Sequence, residues 1–485
     1  MHSINRYKSA LLTILVMMTW VLLLPSCTRE VRIVSHSADK AVIFPDYTNV
    51  TLPCNIAPID FSVEGLTDAA LIIKGQSDSI CLTTSDGSFT IPEDHWHQLL
   101  QTEKGRRLTM TVCRPAKDGW ESLAPFYVTV SPDSIDNTLV YRLIPPGYGL
   151  WNNMKLCQRN LESFDEEVIY DNRFGKGNCI NCHTFNGGDS QTWQVHVRHN
   201  FGGTYIVRGS SIEKLDVKGK GGKPVYAGWH PDGRHIAYST NNTFFHIHTL
   251  DANRWEVMDD GSDVIVVDTN TGERISSLLL SSPDSYETFP TFSPDGQWLY
   301  FCTARKVEQL TRDFADVRYS LCRIAFDKTH NTFAEKVDTI CSSIDIDGSV
   351  SMPRISPDGK WLCFVKAAYG NFGVCHNDAD LMLVRLSDGV TMPMTEANSP
   401  MMESYHTWSC NSRWLVFSSK RDDGQYTRPY FTHVDANGKC SKPFCLPQRN
   451  AQNFYRTMLD AYNIPELVNG HIDIDARHFQ QSLEK

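Results

Sequence analysis

Long apolar segments and positive charge are both scarce in this chain of 485 residues. Residues 10–24 are mostly apolar but short for a membrane span. No later stretch reaches the roughly 18 consecutive apolar residues that cross a bilayer as a helix. Lys and Arg number 46 against 56 Asp and Glu, which gives a net charge of −10. Because phosphate backbones are bound by basic surfaces, this balance argues against nucleic acid as the main partner.

Common catalytic signatures are missing as well. The sequence contains no nucleophile elbow, no phosphate-binding loop and no H-E-x-x-H motif. We therefore nominate no catalytic residue, and the sequence leans against an enzyme. What the chain does have is aromatic side chains, with 11 Trp, 18 Tyr and 23 Phe. Most of them lie in runs typical of strands, which predicts a mainly β protein.

The N-terminus reads as an export signal. Arg6 and Lys8 precede the apolar residues 10–24, and Leu24-Pro25-Ser26-Cys27 resembles a bacterial lipobox, although Pro25 departs from the usual small residue. We expect a signal peptide over 1–26, a lipid on Cys27 and a polar tether over 27–40. By resemblance to other lipoproteins, the destination is the outer membrane, with the chain facing the periplasm or the outside. A plain secretory signal with a chance cysteine is the alternative.

Two segments are expected before the repeats. Residues 41–145 alternate short apolar runs with Pro and Gly, which predicts a β-sandwich-like domain without visible chemistry. In residues 146–200, apolar side chains from Trp151 to Val168 recur every three or four positions, which predicts a helix.

One motif carries sharp chemistry. Cys179-Ile180-Asn181-Cys182-His183 is a C-x-x-C-H sequence, the pattern by which haem c is attached. Cys179 and Cys182 would form the two thioether bonds of one covalent haem, and His183 would be the axial iron ligand. Residues 146–200 are therefore expected to be a short helical haem segment. The alternatives are a disulfide or part of a zinc site, although no second pair of zinc ligands is evident at a suitable spacing.

The sixth iron ligand stays open at this point. His196 and His199 lie nearest to the motif along the chain. Each is a candidate ligand, against an ordinary role as a core or surface histidine. A water ligand or a five-coordinate iron is also compatible with the sequence.

Residues 201–448 contain a repeat. Its turn motif, Pro-Asp-Gly between two strands, recurs with Asp232, Asp295 and Asp358, and in degenerate form at Asn411. A strand, this turn and further strands describe one propeller blade, so we expect a β-propeller, with six blades favoured over seven and a C-terminal tail over 449–485.

The innermost strand of each blade lines the central channel of a propeller. It should be the strand that leads into each Pro-Asp-Gly turn. Polar residues there could bind a ligand or partner, or could only satisfy backbone groups at strand ends. These candidates are Tyr226, Tyr286, Glu287, Arg354, Glu403, Tyr405 and His406.

The repeats resemble those of TolB-like, WD-repeat-like propellers. Together with the lipobox and the single C-x-x-C-H motif, the chain resembles exported lipoproteins that are often labelled cytochrome c biosynthesis proteins. This resemblance implies electron transfer or redox sensing in the cell envelope, with a protein partner. A non-enzymatic propeller scaffold that binds a protein or glycan, or a haem enzyme such as a peroxidase, are the alternatives.

Overall fold

The computed structural model describes residues 31–146, 153–175, 177–219, 221–247, 253 and 255–484. The expected signal peptide, Cys27 and Trp151 lie outside these residues. Within the described ranges, none of the helices has the length and apolar character needed to cross a membrane.

An N-terminal module comes first. Its strands are β1 Ile33–Lys40, β2 Ile43–Phe44, β3 Thr51–Leu52, β4 Phe61–Val63, β5 Ala69–Lys74, β6 Ser79–Thr84, β7 Ser88–Phe89, β8 Arg107–Ala116, β9 Gly119–Ala124 and β10 Phe126–Val130, with helix α1 at Glu93–Thr102. One sheet of seven strands has the order β1-β9-β8-β10-β3, with β5 pairing with β8 and β6, and a second sheet has the order β2-β4-β7. The module is therefore built on two sheets, with one helix that the sequence analysis did not predict.

Helix α1 is favoured by its first turn and by its buried face. Glu93 and Asp94 lie at its N-terminal end, where negative charge interacts well with the helix dipole. Trp96, Leu99 and Leu100 are buried on one side of the helix. These side chains belong to the same hydrophobic cluster as Trp414 and Phe431 of the later strands, so the module packs directly against the rest of the protein.

The remaining strands follow in two halves of the chain. The first half contains β11 Thr138–Ile144, β12 Lys155–Asn160, β13 Glu166–Asp171, β14 Cys179–Phe185, β15 Thr192–Arg198, β16 Gly203–Arg208, β17 Ser211–Lys214, β18 Val225–Trp229, β19 His235–Ser239, β20 Asn242–Ile247, β21 Trp255–Gly261, β22 Val264–Asp268 and β23 Arg274–Ile275.

The second half contains β24 Ser285–Phe292, β25 Trp298–Arg305, β26 Ser320–Asp327, β27 Thr332–Cys341, β28 Ser349–Ile355, β29 Trp361–Ala367, β30 Asp380–Arg385, β31 Val390–Pro393, β32 Glu403–Trp408, β33 Trp414–Ser419, β34 Arg428–His433, β35 Phe444–Cys445 and β36 Ala461–Val468. The helices are α2 Leu310–Asp313, α3 Ala451–Thr457 and α4 Ala476–Leu483, with 3-10 turns at Phe314–Asp316 and Gly373–Cys375.

Within the described residues, these strands form six four-stranded sheets, in the orders β36-β11-β12-β13, β14 to β17, β18-β19-β22-β23, β24 to β27, β28 to β31 and β32 to β35, and β20 pairs with β21 in a separate hairpin. Their first strands contact one another in a circle, from β14 through β18, β24, β28, β32 and β36 back to β14. This arrangement confirms a β-propeller. Because β36 pairs with β11 from the other end of the chain, strands from both ends complete one sheet.

The sheets extend beyond the range expected for the propeller. The first sheet combines residues 138–171 with β36, and the second spans Cys179–Lys214. The segment 146–200, expected to be a separate haem segment, therefore contributes strands to two sheets. The expected tail 449–485 contains β36, a strand of the central circle.

The helix predicted from Trp151 to Val168 is wrong within the described residues. That region forms β12 and β13, which pair in antiparallel register. Residues Leu156, Cys157, Gln158 and Arg159 of β12 are all buried. Because a propeller sheet packs against neighbours on both faces, its strands lose the alternating pattern and their apolar residues can imitate helical spacing.

Candidate functional site

Each of the six innermost strands carries a β-bulge. The pairing register shifts at this point in all six sheets. One residue of each bulge has a positive φ, between 43° and 54°: Cys182, Tyr226, Phe289, Met352, Tyr405 and Ile464. These six residues line the same narrow cavity, of about 50 Å³, which we call the waist. Bulges re-aim side chains, and here they direct one residue of each sheet to the channel.

The C-x-x-C-H motif lies on one of these strands, β14. Cys182 is the bulge residue, and His183 follows it. The same position of β32 is occupied by Tyr405 and His406, and the next residues in both strands are a threonine and an aromatic residue. This His-Thr-aromatic repeat was the sequence signal that could have placed the motif inside the propeller.

The waist separates two larger cavities. The wide chamber, of about 460 Å³, is lined by Cys179, Arg142, Arg198 and aromatic side chains. The turn-side chamber, of about 370 Å³, lies towards the Pro-Asp-Gly turns and includes Arg354 and Glu466. Tyr226 and Tyr405 line both the waist and the wide chamber, whereas Arg354 and Glu466 line both the waist and the turn-side chamber. The three cavities therefore follow one another along the channel.

His183 is held in a state suited to metal ligation. It is only 2% exposed, its ring hydrogen bonds to the backbone of Ile464, and its Nε2 has no hydrogen-bond partner. Burial, with smaller contributions from the charges of Arg142 and Arg354, lowers the pKa of His183 to about 3. The imidazole is therefore neutral at ordinary pH. A histidine with one nitrogen bonded to the backbone and the other unoccupied matches the usual orientation of a metal ligand.

The two cysteines of the motif line different cavities. Cys179 lines the wide chamber and Cys182 lines the waist, and neither is in a disulfide. Burial raises the pKa of the Cys179 thiol, and the nearby charges of Arg142 and Arg198 partly offset that effect. The side-chain amide of Gln194 donates to the Cys182 carbonyl, which fixes the bulge.

The two histidines proposed as sixth ligands lie in different places. His196 is buried, its Nδ1 lies 3.0 Å from Thr204 Oγ1, and its Nε2 has no partner. Burial lowers its pKa to about 4. It does not line any of the three cavities described above, whereas the exposed His199 lines the wide chamber. Of the pair, only His199 faces the space beside Cys179.

Four of the other channel candidates line the waist: Tyr226, Arg354, Tyr405 and His406. Glu287 and Glu403 instead hold loops, because Glu287 accepts from the Ser285 hydroxyl and Glu403 accepts from the Ser399 hydroxyl. Tyr286 packs against the ring of Tyr319, and Lys306 lies over it. These three residues satisfy neighbouring groups and do not line the three cavities.

A histidine and aspartate cluster at the first Pro-Asp-Gly turn was not anticipated. Ligand atoms of His230, Asp232 and His235 lie within 4.8 Å of one another. However, Asp232 Oδ1 accepts from the backbone N–H groups of Arg234 and His235, at 2.9 and 3.0 Å. His230 Nδ1 accepts from the backbone of Asp232. Since these atoms are already bonded within the protein, the cluster stabilises the turn.

The residues around the wide chamber fit a haem in their chemistry. Apolar side chains such as Phe245, Trp255 and Phe372 line it, together with two guanidinium groups from Arg142 and Arg198. A volume of about 460 Å³ is in the range typical of ligand and cofactor pockets. Apolar walls suit a porphyrin, and the arginines suit its propionates.

Comparisons with known proteins leave the family open. No protein-family model matches the chain. No curated protein matches it either. The solved structures that are similar include an oligogalacturonate lyase in complex with manganese, with 12% identity, a TM-score of 0.36, and coverage of 65% of this chain and 74% of the lyase.

Two further structures are similar at the same level. The periplasmic gluconolactonase of Pseudomonas aeruginosa has 12% identity and a TM-score of 0.32, over 64% of this chain and 97% of that one. Prolyl oligopeptidase B of Galerina marginata has 12% identity and a TM-score of 0.35, over 62% of this chain and 43% of that one. The chain thus spans less than half of the peptidase. Likenesses this weak do not transfer a function.

Proposed function

We propose that this protein is an outer-membrane lipoprotein whose propeller has six blades and carries one covalent haem c for electron transfer or redox sensing. The observation that carries the proposal is His183. Its Nε2 is buried and unpartnered, and it directly follows Cys182 on a strand that faces the channel. An orphaned buried nitrogen costs free energy unless a ligand completes it.

The positions of the two thiols support a haem on the wide-chamber side of the waist. Cys179 lines the wide chamber. Cys182 lies in the waist beside Tyr226 and Tyr405, the two residues that also line the wide chamber. Both thiols are therefore adjacent to the chamber whose size and lining suit the group.

Each surrounding residue has a defined task in this proposal. The backbone of Ile464 orients the His183 ring, so that Nε2 is the atom left for iron. Arg142 and Arg198 provide the charge that would neutralise two carboxylates, and the buried Phe372 supplies part of the apolar wall. The haem supplies one-electron chemistry when bound. No catalytic residue is needed for such a role, and the partner is a redox or scaffold protein.

Anchoring follows from the lipobox. With a lipid on Cys27, the protein would be held at the membrane without a spanning helix. The lipid is the only anchor in this proposal, so Cys27→Ala should release the protein into the soluble fraction. Membrane pelleting of that variant after a salt wash would contradict the anchor.

Expression in a host with periplasmic haem-attachment machinery tests the haem. Thioether-bound haem survives denaturation, so the wild-type band should stain for haem on a denaturing gel and carry the added mass. Cys179→Ser with Cys182→Ser should abolish both signals. Cys81→Ser is the matched control, because Cys81 is exposed on the N-terminal module and should not affect attachment. A wild-type band without haem would refute the proposal.

A haem-free binding propeller is the second candidate, and one observation favours it. His406 repeats the burial and the unpartnered nitrogen of His183 on a strand without cysteines. A buried histidine at this level of the channel can therefore exist without haem. If the staining experiment is negative, this function becomes the leading one.

A further inference from the structure

We infer that the turn-side chamber is a second binding site, for a small hydroxycarboxylate of sugar-acid size, separate from the haem. It lies beyond the waist from the wide chamber. Its floor is formed by Arg354 and Glu466, which also line the waist beside His406. The inference does not depend on the haem, because none of these three residues belongs to the C-x-x-C-H motif.

Arg354 supplies the cation of this chamber. The described residues give its guanidinium neither a hydrogen bond nor an ion pair within 4 Å. Its backbone is fixed, since its carbonyl accepts from Trp408 Nε1 at 3.1 Å. Its charge acts on Glu466 and on His406, so it lies near both. A guanidinium carries five donors in a planar fork, which matches a carboxylate with two parallel hydrogen bonds.

Glu466 supplies a buried oxygen without a partner. The side chain is only 5% exposed, and Oε2 accepts from the backbone N–H of Phe185 at 3.1 Å. Oε1 has no hydrogen-bond partner. Burial raises the pKa of Glu466 to about 7, so near neutral pH this group both accepts and donates. A ligand hydroxyl, which also does both, is its natural complement.

His406 lies beside this floor, in the waist, and does not itself line the turn-side chamber. It is 2% exposed, and its Nε2 lies 2.9 Å from the Cys363 carbonyl. Because a carbonyl can only accept, Nε2 carries the proton and Nδ1 is a bare lone pair. Nδ1 has no partner. Burial lowers the pKa of His406 to about 3, which keeps the ring neutral.

Together these groups define the chemistry of the ligand. One cationic fork asks for a carboxylate, and the buried oxygen of Glu466 asks for a hydroxyl group beside it. A carboxylate without a hydroxyl would leave Glu466 Oε1 unpaired. A volume of about 370 Å³ accommodates more than acetate and suits a molecule of sugar-acid size.

Isothermal titration calorimetry on the mature protein tests the site. We expect D-gluconate or D-glucuronate to bind, and glucose, acetate, inorganic phosphate and glycine to bind at least tenfold more weakly. Arg354→Gln should weaken sugar-acid binding at least tenfold, and Glu466→Gln should weaken it less. Arg385→Gln is the control, because Arg385 is on β30, two strands from Arg354 in the same sheet, where its partner is Asp388. Arg354→Lys, which keeps the charge, should retain part of the affinity and guards against a folding defect in the glutamine variant.

Each outcome decides the inference. No binding of either sugar acid at millimolar concentration would overturn it, as would tighter binding of phosphate, glycine or glucose. Unchanged affinity in Arg354→Gln would also overturn it. The titration is repeated with the Cys182→Ser variant, for which we expect the same affinity. If the protein binds sugar acid but carries no haem, this site is supported and the haem proposal is refuted. If the protein carries haem but binds no sugar acid, the haem proposal is supported and this site is refuted.

Discussion

Strands β14 and β32 share a His-Thr-aromatic sequence directly after their bulge residues but differ in the residues before it. His183 and His406 follow equivalent bulges, and each is buried with one nitrogen bonded to the backbone and the other unpartnered. However, β14 has Cys182 where β32 has Tyr405, and Cys179 lies three positions before its bulge residue where β32 is preceded by Met402. The histidine is therefore shared by two of the six bulges, and the two cysteines distinguish β14 from β32.

The surroundings of the two histidines differ in a second way. Arg142 acts on His183, and it lines the wide chamber together with Cys179. Arg354, on the turn side, acts on both His183 and His406. The waist therefore shares residues with both the wide chamber and the turn-side chamber. The predictions below compare the two strands by changing matched residues.

The largest expected difference is in the iron spectrum. In haem-loaded protein, His183→Ala removes an axial ligand, so the absorption and spin state of the iron should change completely. His406→Ala should leave the spectrum unchanged, because β32 has no cysteine pair that would hold a haem beside this histidine. Absorption and electron paramagnetic resonance spectra of the two variants provide the measurement. A change of equal size in His406→Ala would contradict the assignment of His183 as the ligand.

Without haem, the two substitutions should become equivalent. Each removes the donor to a buried backbone acceptor, at Ile464 for His183 and at Cys363 for His406. We expect each to lower the free energy of unfolding by about 1–3 kcal/mol. Urea denaturation of both variants in the Cys179→Ser, Cys182→Ser background measures this. A much larger loss for His183→Ala in that background would mean that the two sites differ for a reason other than haem.

Acid stability gives a third comparison. The folded pKa of His183 and of His406 is about 3, below the ordinary value of 6.5. Between these values the unfolded chain takes up protons that the folded protein does not, so stability from each histidine is present above about pH 6.5 and is lost as pH falls towards 3.

His406→Gln should therefore flatten the acid limb of the stability curve. The slope between pH 4 and 6 should fall by up to about 1.4 kcal/mol per pH unit, which corresponds to one proton. His183→Gln should have the same effect only in haem-free protein, because an iron-bound histidine does not titrate in the same way. Denaturant titrations at several pH values test this, and an unchanged slope for His406→Gln would show that the folded ring is protonated.

The sequence predicted part of this architecture for physical reasons that can be identified. The three Pro-Asp-Gly turns are determined by local residues, so they can be recognised in the sequence, and they led to the prediction of a propeller. Two sheets were missed. In the second, the turn after β14 is Asn186-Gly187-Gly188 and lacks the motif, and the first is assembled from distant parts of the chain, β11 to β13 and β36.

The sequence predicted the residues of the candidate site but not their position in the fold. Cys179, Cys182 and His183 follow from a local spacing rule, whatever the tertiary structure. The wide chamber depends on the hairpin β20–β21, which contributes Phe245 and Trp255 from another sheet. Such a contact between distant segments leaves no periodic signal in the sequence. Nor does the waist, since it is formed by bulges on six separate strands.

The smallest effect concerns the turns that follow the two strands, which touch each other. Cys410, in the turn after β32, lies with its Sγ 3.5 Å from the Gly187 carbonyl. A Cβ added at Gly188, where φ is +78°, would come within 2.8 Å of that Sγ. Gly359 has a similar φ of +70°, and a Cβ there would meet nothing within 4 Å. Both alanine substitutions therefore share the cost of left-handed backbone, about 1–2 kcal/mol.

Gly188→Ala should cost more than Gly359→Ala, because Cys410 must leave its preferred rotamer, an additional loss of about 0.5–1.5 kcal/mol. Thermal or urea unfolding of the two variants measures the difference. In a Cys410→Ala background the Sγ is gone, so the two glycine substitutions should become equal. If the excess cost at Gly188 persists there, the strain comes from the backbone of the turn itself, and the contact between the turns of β14 and β32 does not explain it.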